Sequence, residues 1–492
     1  MAKIKSGDKM YTLLKDNLDY LKNLTGGSAD FTVRELTLSN NAEIAIITTE
    51  GMSDKESLTL SVINPLLSHS YSKTKTELFD YIFNNVISNA EVSEVTSFDD
   101  VLTLSMSGFA ILAVDGCNKM LSIGVQGYSH RGITEPESEL VQRGSREGFT
   151  EALRVNTTLI RRRMKNPSLV FETSIVGSES NTEICVCYLK DKATPKSVNE
   201  VKSRLKACDL KVLLGSGYLV PYLEDSGKNE IFTGVGITER PDTLCGKLIE
   251  GRIGIIVDGT PSVLVIPHLF VENFQSIDDY SNRPYFATIT RILKYFSYLV
   301  SVLFPGMYIA LVTFHPEYFP SVLLKNITES IDHTPLPPLL EVLMIDFIYE
   351  IMREAGLRLP KVLGHAVSIV GALVIGDCAI TAGLIGAPTL MAVAVAAICS
   401  YVIPDLYPQI TVLRLSFIII GGILGVWGIV MLSAVALIFM CSKSTLGVIF
   451  VTPVTPFSKK NMRDVFVRLG WKKLSKYNMN VQNLKGGSVY EE

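Results

Sequence analysis

Between Val362 and Ile403 the chain carries one acidic residue, Asp377, and no lysine or arginine. A helix needs roughly 20 apolar residues to cross a bilayer, so this run is long enough for two crossings. Phe417 to Met440 supplies a third without any charge, and Tyr295 to Phe314 a fourth. A soluble fold can bury one such helix in its core. Four in succession make a membrane-embedded carboxy-terminal part the expected reading, whereas the first 287 residues read as soluble.

A chain of 492 residues exceeds what one hydrophobic core organises, so more than one domain is expected. The net charge of −3 gives no general electrostatic case for nucleic acid. Basic residues cluster at Arg161, Arg162, Arg163 and Lys165, and again in the tail at Lys459, Lys460, Arg463, Arg468, Lys472, Lys473 and Lys476. The cysteines are scattered, with no C-x-x-C pair and no histidine at ligand spacing, so free thiols and no metal or other cofactor are expected. The segment after Met1 has no apolar core of signal-peptide length, which predicts that the amino-terminal domain stays in the cytoplasm.

The predicted fold is an α/β cytoplasmic amino-terminal domain of two subdomains followed by an α-helical polytopic membrane domain. Residues 1–28 form a polar lead-in, 29–170 a first α/β subdomain and 171–288 a second. Residues 289–441 form the membrane domain and 442–492 a basic cytoplasmic tail. Two β-runs flank Asp115-Gly116, and two more flank Asp258-Gly259; each Asp-Gly pair supplies the positive φ that a hairpin turn needs. The recurrence hints at two related subdomains, and chance repetition of a common hairpin accounts for it equally well. Thr134 and Glu137 have capping-box spacing, and Phe149, Leu153, Ile160 and Met164 recur at helical spacing, which predicts one long helix over 137–165 ended by Asn166-Pro167.

Arg291 and Lys294 precede the first span and place that side in the cytoplasm. The stretch 339–352 is apolar but contains Glu341, Asp346 and Glu350, each costing about 2.5–3.5 kcal/mol at a bilayer centre. It reads as a re-entrant or interfacial helix, or one facing a wet cavity, which leaves four full spans and puts the tail inside. The cluster Arg353, Arg358 and Lys361 would then lie outside, against the same charge rule.

No P-loop, H-E-x-x-H, G-x-S-x-G or complete dinucleotide fingerprint occurs, so the chain does not read as an enzyme. The helix from Val362 to Ala382 is small-sided and carries His365, Ser368, Asp377 and Thr381, and intramembrane polar residues tend to face an interior or a water path. His365, Ser368, Ala372 and Ile375 share one face with Ala379. One such helix cannot enclose a pore alone, but symmetric copies can. Gly421 and Gly425 form a G-x-x-x-G packing pair.

The string EPESELVQRGSREGFTEALRVNTTLIRRRMKNPSL at 135–169 is distinctive, as are TERPD at 238–242, LIEGRIGIIVDGTP at 248–261, FPGMYIALVTFHPE at 304–317, REAGLRLP at 353–360 and VSIVGALVIG at 367–376. In this order they resemble the A subunits of GerA-type germination receptors of endospore-forming bacteria. The chain departs from that pattern at 332–338, at 446–450 and at Asp377. The resemblance implies a receptor subunit in the spore inner membrane, with its amino-terminal domain on the core side, assembled with a transporter-like B subunit, a lipoprotein C subunit and membrane lipid. It further implies a homo-oligomer, a pentamer, forming a nutrient-gated cation channel. Pore-lining candidates are then Val362, His365, Ser368, Ala372, Ile375, Asp377 and Ala379. Subunit-contact candidates are Glu135, Glu139, Arg143, Glu147, Glu151, Arg161, Arg162 and Arg163. The rival readings are a paralogue associated with dipicolinate release and a non-conducting membrane scaffold.

Overall fold

The computed structural model describes residues 10–71, 75–127, 136, 139–225, 230–359, 378–458, 461–474, 476 and 479–484. Its amino-terminal part contains two five-stranded sheets. The first comprises β1 (Phe31–Thr37), β2 (Glu43–Thr49), β3 (Val92–Val95), β4 (Ala110–Val114) and β5 (Met120–Ile123), in the order β1-β2-β4-β5-β3. The second comprises β6 (Leu169–Val176), β7 (Thr182–Leu189), β8 (Gly236–Thr238), β9 (Ile253–Val257) and β10 (Val263–Ile266), in the order β6-β7-β9-β10-β8. Every neighbouring pair is antiparallel. The same connectivity therefore occurs twice.

Helices α1 (Leu14–Leu24), α2 (Phe98–Ser105), α3 (Leu153–Arg163), α4 (Pro195–Lys206) and α5 (Pro241–Ile249) cover the sheets. Successive strand residues point to opposite faces, and both faces are buried, so the central strands read as continuous apolar runs. In β4, Leu112 and Val114 pack on helical turns between residues 55 and 86, while Ile111 and Ala113 pack on α1 and α2. In β9, Ile253, Ile255 and Val257 face α4, and Ile256 faces α3 and α5.

The duplication extends to individual hydrogen bonds. Asp115 in the β4–β5 turn accepts from the Leu14 N–H at the start of α1 (3.2 Å), and Asp258 in the β9–β10 turn accepts from Leu153 N–H at the start of α3 (3.0 Å). Gly116 N–H donates to Thr12 O (2.9 Å), as Gly259 N–H does to Glu151 O (2.7 Å). Both glycines sit at positive φ, 87° and 84°, where a side chain would be strained. Buried Asn17 brackets Tyr11 by accepting from its N–H and donating to its C=O, and buried Asn156 does the same to Thr150. The carboxylates stand at helix N-termini, where orphan N–H groups and the dipole favour an anion. Replacing Asn156 with alanine strips partners from one N–H and one C=O, so a loss of about 2–3 kcal/mol is expected. The thermal midpoint of the solubilised full chain should fall, and fall similarly for Asn17→Ala.

The long helix expected over 137–165 is corrected. Thr134 and Glu137 lie outside the described residues, and 139–152 is irregular, with helix only from Leu153 to Arg163. Its backbone bonds sideways instead of along itself. Gln142 and Arg143 N–H donate to Asp278, Phe149 N–H to Glu239 O, and Ser145 O accepts from Arg240. Gly144 at φ 145° further breaks any helix. Helix α3 packs in the core of the second sheet rather than the first, and it also fastens the two together. Arg161, 2% exposed, donates to both oxygens of buried Asp30 at 2.8 and 3.0 Å and to Leu169 O at 2.9 Å.

The remainder of the described chain is largely helical: α6 (Pro284–Phe314), α7 (Ser321–Asp332), α8 (Pro338–Arg358), α9 (Ala387–Ser400) and α10 (Tyr407–Ser442). Two segments, Pro284–Phe314 and Pro404–Ser442, are long and apolar enough to cross a membrane. The expected single span 417–440 does not exist as such. At Gly425 (φ 65°, ψ −153°) α10 leaves helical geometry, and a methyl group placed on Gly428 would lie 3.0 Å from Ile420 O, eight residues back. The chain has turned back on itself, making two arms, 407–424 and 426–442, each about 26 Å long. Gly421 packs at the crossing with α6, its Cβ position 2.6 Å from Gly306 O, so one glycine of the G-x-x-x-G pair serves close approach and the other serves reversal.

The acidic stretch read as a helix over 339–352 is the body of the longer α8, and its carboxylates face partners. Asp346 and Glu350 each meet Arg414 of α10 at 2.8 Å, and Glu350 also accepts from Tyr407 (2.7 Å).

A candidate functional site at the junction of the two halves

The second subdomain, the base of α6, the loop before α10 and the tail converge on one cleft of about 570 Å³. Its floor is ionic. Arg291, fully buried on α6, donates from Nε to Asp279 at 2.7 Å and from Nη1 to the carboxylate and carbonyl of Asp464 at 2.8 and 2.7 Å. Asp279 also closes a capping box with Ser276, and Tyr280 OH donates to Asp464 at 2.7 Å. Burial, with Asp464 alongside, pushes the Tyr280 phenol far above its usual range. Lys294, one turn further along α6, donates to Ser276 Oγ (3.2 Å) and Phe274 O (3.4 Å).

The tail follows the base of α6 from Phe466, against Tyr295, to Arg468, whose N–H donates to Thr288, and Trp471, whose indole donates to Tyr280 O. On the opposite wall Glu139 accepts from Thr238 Oγ1 (2.6 Å) and Glu239 N–H (2.8 Å); burial raises its carboxyl and these two bonds oppose the rise. Arg240 bridges Asp242 and the carbonyls of Glu139 and Ser145. Below it, buried Arg252 pairs with Glu272, which Lys247 also meets at 3.1 Å. Such an array ties the second subdomain and the tail to the base of the first long apolar helix. Among the described residues no group of histidines, cysteines and carboxylates could hold a metal ion.

The candidate subunit contacts fall mostly within the chain. Arg161 is buried and paired with Asp30 inside the chain. Arg162 and Arg163 both meet Glu147, and Glu139 belongs to the cleft. Arg143 and Glu151 have exposed side chains, and Glu135 lies outside the described residues. Of the pore-lining candidates, Val362, His365, Ser368, Ala372, Ile375 and Asp377 also lie outside them; Ala379 sits in a short helical turn packed against the apolar cluster that contains Val342 and Ile385. From sequence Arg291 reads as a topogenic charge, and the signal for its buried role is Asp278-Asp279-Tyr280, eleven to thirteen residues before it.

A family model described as "Bacillus/Clostridium GerA spore germination protein" matches residues 19–479. The chain is 37% identical to spore germination protein KA of Bacillus subtilis over 93% of its length and 85% of that protein. It is 30% identical to stage V sporulation protein AF of Bacillus subtilis over 94% of its length and 93% of that protein. Among solved structures, the crystal structure of the N-terminal domain of the A subunit of the Bacillus megaterium spore germinant receptor GerK3 is 31% identical, covering 54% of this chain and 99% of that one with a TM-score of 0.42. On its family match and its full-length relatives, the chain belongs to the GerA family of spore germination proteins.

Proposed function

We propose that the chain is the A-type subunit of a nutrient germinant receptor, that it oligomerises in the spore inner membrane, and that the oligomer is a gated cation channel rather than an enzyme. The observation carrying this reading is the apolar outer face of helices rooted in an α/β domain through buried ion pairs. Ile289, Ile292, Phe296 and Leu299 of α6 and Trp427, Met431 and Ile438 of α10 are all exposed. A soluble monomer does not leave so large a contiguous apolar face in water, and backbone satisfied within helices is what lipid requires. Because both ends of α10 return to the α/β domain, that domain and the tail share one face, assigned to the core side.

The lining of the conduit is assigned to 362–382, with Ser368, Ala372, Ile375 and Ala379 toward the axis of a symmetric assembly, a pentamer. The B and C subunits implied by the family would act on the α/β domain and reach the bundle through the junction cleft. An apolar constriction can hold a pore shut by dewetting. In liposomes, Ile375→Ser or Ala372→Ser is therefore expected to raise potassium flux over the parent chain at least several-fold. Unchanged flux in correctly inserted oligomers of both would remove the lining assignment and favour the scaffold reading.

A further inference from the structure

Of the four carboxylates of α8, Asp346 and Glu350 meet Arg414 and Glu354 meets Arg358, while Glu341 has no cation beside it among the described residues. Glu341 is fully buried, its Oε1 accepts from the Gly386 N–H, and its Oε2 has no hydrogen-bond partner among the described residues. Around it four helices bring oxygen atoms together. A methyl group built on Gly386 would lie 2.7 Å from Ser330 Oγ of α7, 3.2 Å from Glu341 Oε1 and 3.5 Å from Thr389 Oγ1 of α9. Tyr308 OH of α6 stands 3.3 Å from Thr389 Oγ1. Glu341, Thr389 and Tyr308 are all at least nine-tenths buried. Gly386 is the N-cap of α9, so the helix dipole offsets only part of the carboxylate charge, about half a unit.

An ionised carboxylate in such surroundings is costly unless paired. The donors on offer are hard oxygens with one net negative charge, which suits a monovalent cation; calcium and magnesium sites recruit more carboxylates or retain more water. We propose that Glu341, Ser330, Thr389 and Tyr308 form a binding site for a monovalent metal cation, sodium or potassium, at the point where α6, α7, α8 and α9 meet. A side chain at Gly386 would collide with Ser330 Oγ, so glycine is what lets these oxygens approach one another. Occupancy ties the α7–α8 turn to the start of α9 and so stabilises the bundle, whether or not the assembly conducts.

The test reads the thermal midpoint of the purified full chain in detergent against sodium or potassium chloride, with choline chloride holding ionic strength constant. The expected result is a saturable rise of several degrees with one of the two metals and none with choline, abolished in Glu341→Gln. Thr389→Val should keep the fold and shift the half-saturating concentration upward at least tenfold, and it decides the matter if Glu341→Gln does not fold. A midpoint indifferent to all three salts overturns the proposal, as does a cation response that survives in both variants. A Glu341→Gln protein more stable than the parent in choline, together with a parent indifferent to sodium and potassium, also overturns it, because the carboxyl is then held neutral.

Discussion

Replacing Arg291 with methionine is expected to remove about 3–5 kcal/mol of stability, because breaking a buried ion pair from one side leaves charge without a partner. Here two carboxylates are abandoned. Asp279 retains 4% side-chain exposure and Asp464 22%, and the same guanidinium satisfies both, together with a carbonyl. Lysine at this position keeps the charge but lacks the planar fork that reaches two acceptors in different directions, so Arg291→Lys should fall between parent and methionine variant. The double variant Arg291→Met with Asp279→Asn should recover part of the loss, a coupling that a cycle of single and double variants isolates. Arg358→Met is the contrast. Arg358 meets Glu354 at 2.6 Å with both side chains largely exposed, and such surface pairs are worth about 0–1 kcal/mol. The measurement is the thermal midpoint of the solubilised chain, together with proteolytic cleavage within 267–283, which should accelerate as the base of α6 comes loose. If Arg291→Met costs no more than Arg358→Met, the junction is held by apolar packing around Phe270, Phe274 and Tyr298 and not by its ions.

What could be read in advance was whatever depends on neighbours in the chain. The hairpins about Asp115-Gly116 and Asp258-Gly259 were legible, since a strand pair with a tight turn is a local object. That the two aspartates also cap helices was not, because their partners lie 101 and 105 residues away. The segment 139–152 shows the same limit from the other side. The capping-box spacing just before it invited a helix, yet Glu239, Arg240 and Asp278, all distant in sequence, offered its backbone better partners. Glu350 was charged against α8 as a cost while its partner Arg414 stood 64 residues further on. The apolar runs at 295–314 and 417–440 do fall in helices, but nothing in composition distinguishes a glycine that lets helices touch from one that turns the chain around. Of Gly421 and Gly425, only Gly425 has a positive φ.

Gly425→Ala should accordingly have an effect far beyond one methyl group. With φ 65° and ψ −153°, Gly425 occupies a region open essentially to glycine, and an L-residue held there costs about 1–3 kcal/mol. The Cβ would also lie 3.1 Å from Phe314 Cδ2, so relief by small movements is blocked by the end of α6. The conformation that accommodates alanine most readily is a continuous helix of about 54 Å. That helix would carry the second arm away from the α/β domain, breaking the nearly buried contacts of Lys443 with Glu224 and Glu230 and the bonds from Ser444 and Leu446 to Asp225. Swinging the arm away hydrates Lys443 and its carboxylates together, so those pairs add little on their own; the loss comes from the strain at Gly425 and from the packing of Ile429 and Met440, and the variant should be less stable than the parent. Cys441 is free and exposed at the end of the second arm and reports where that arm goes. In sealed vesicles whose outer surface displays the α/β domain, a membrane-impermeant maleimide should modify Cys441 in the parent, with Cys441→Ser as the blank, and modify it far less in Gly425→Ala. Equal labelling and an unchanged midpoint would mean that the reversal tolerates a side chain, and that the hairpin is imposed by the anchors at its two ends rather than by the glycine at its tip.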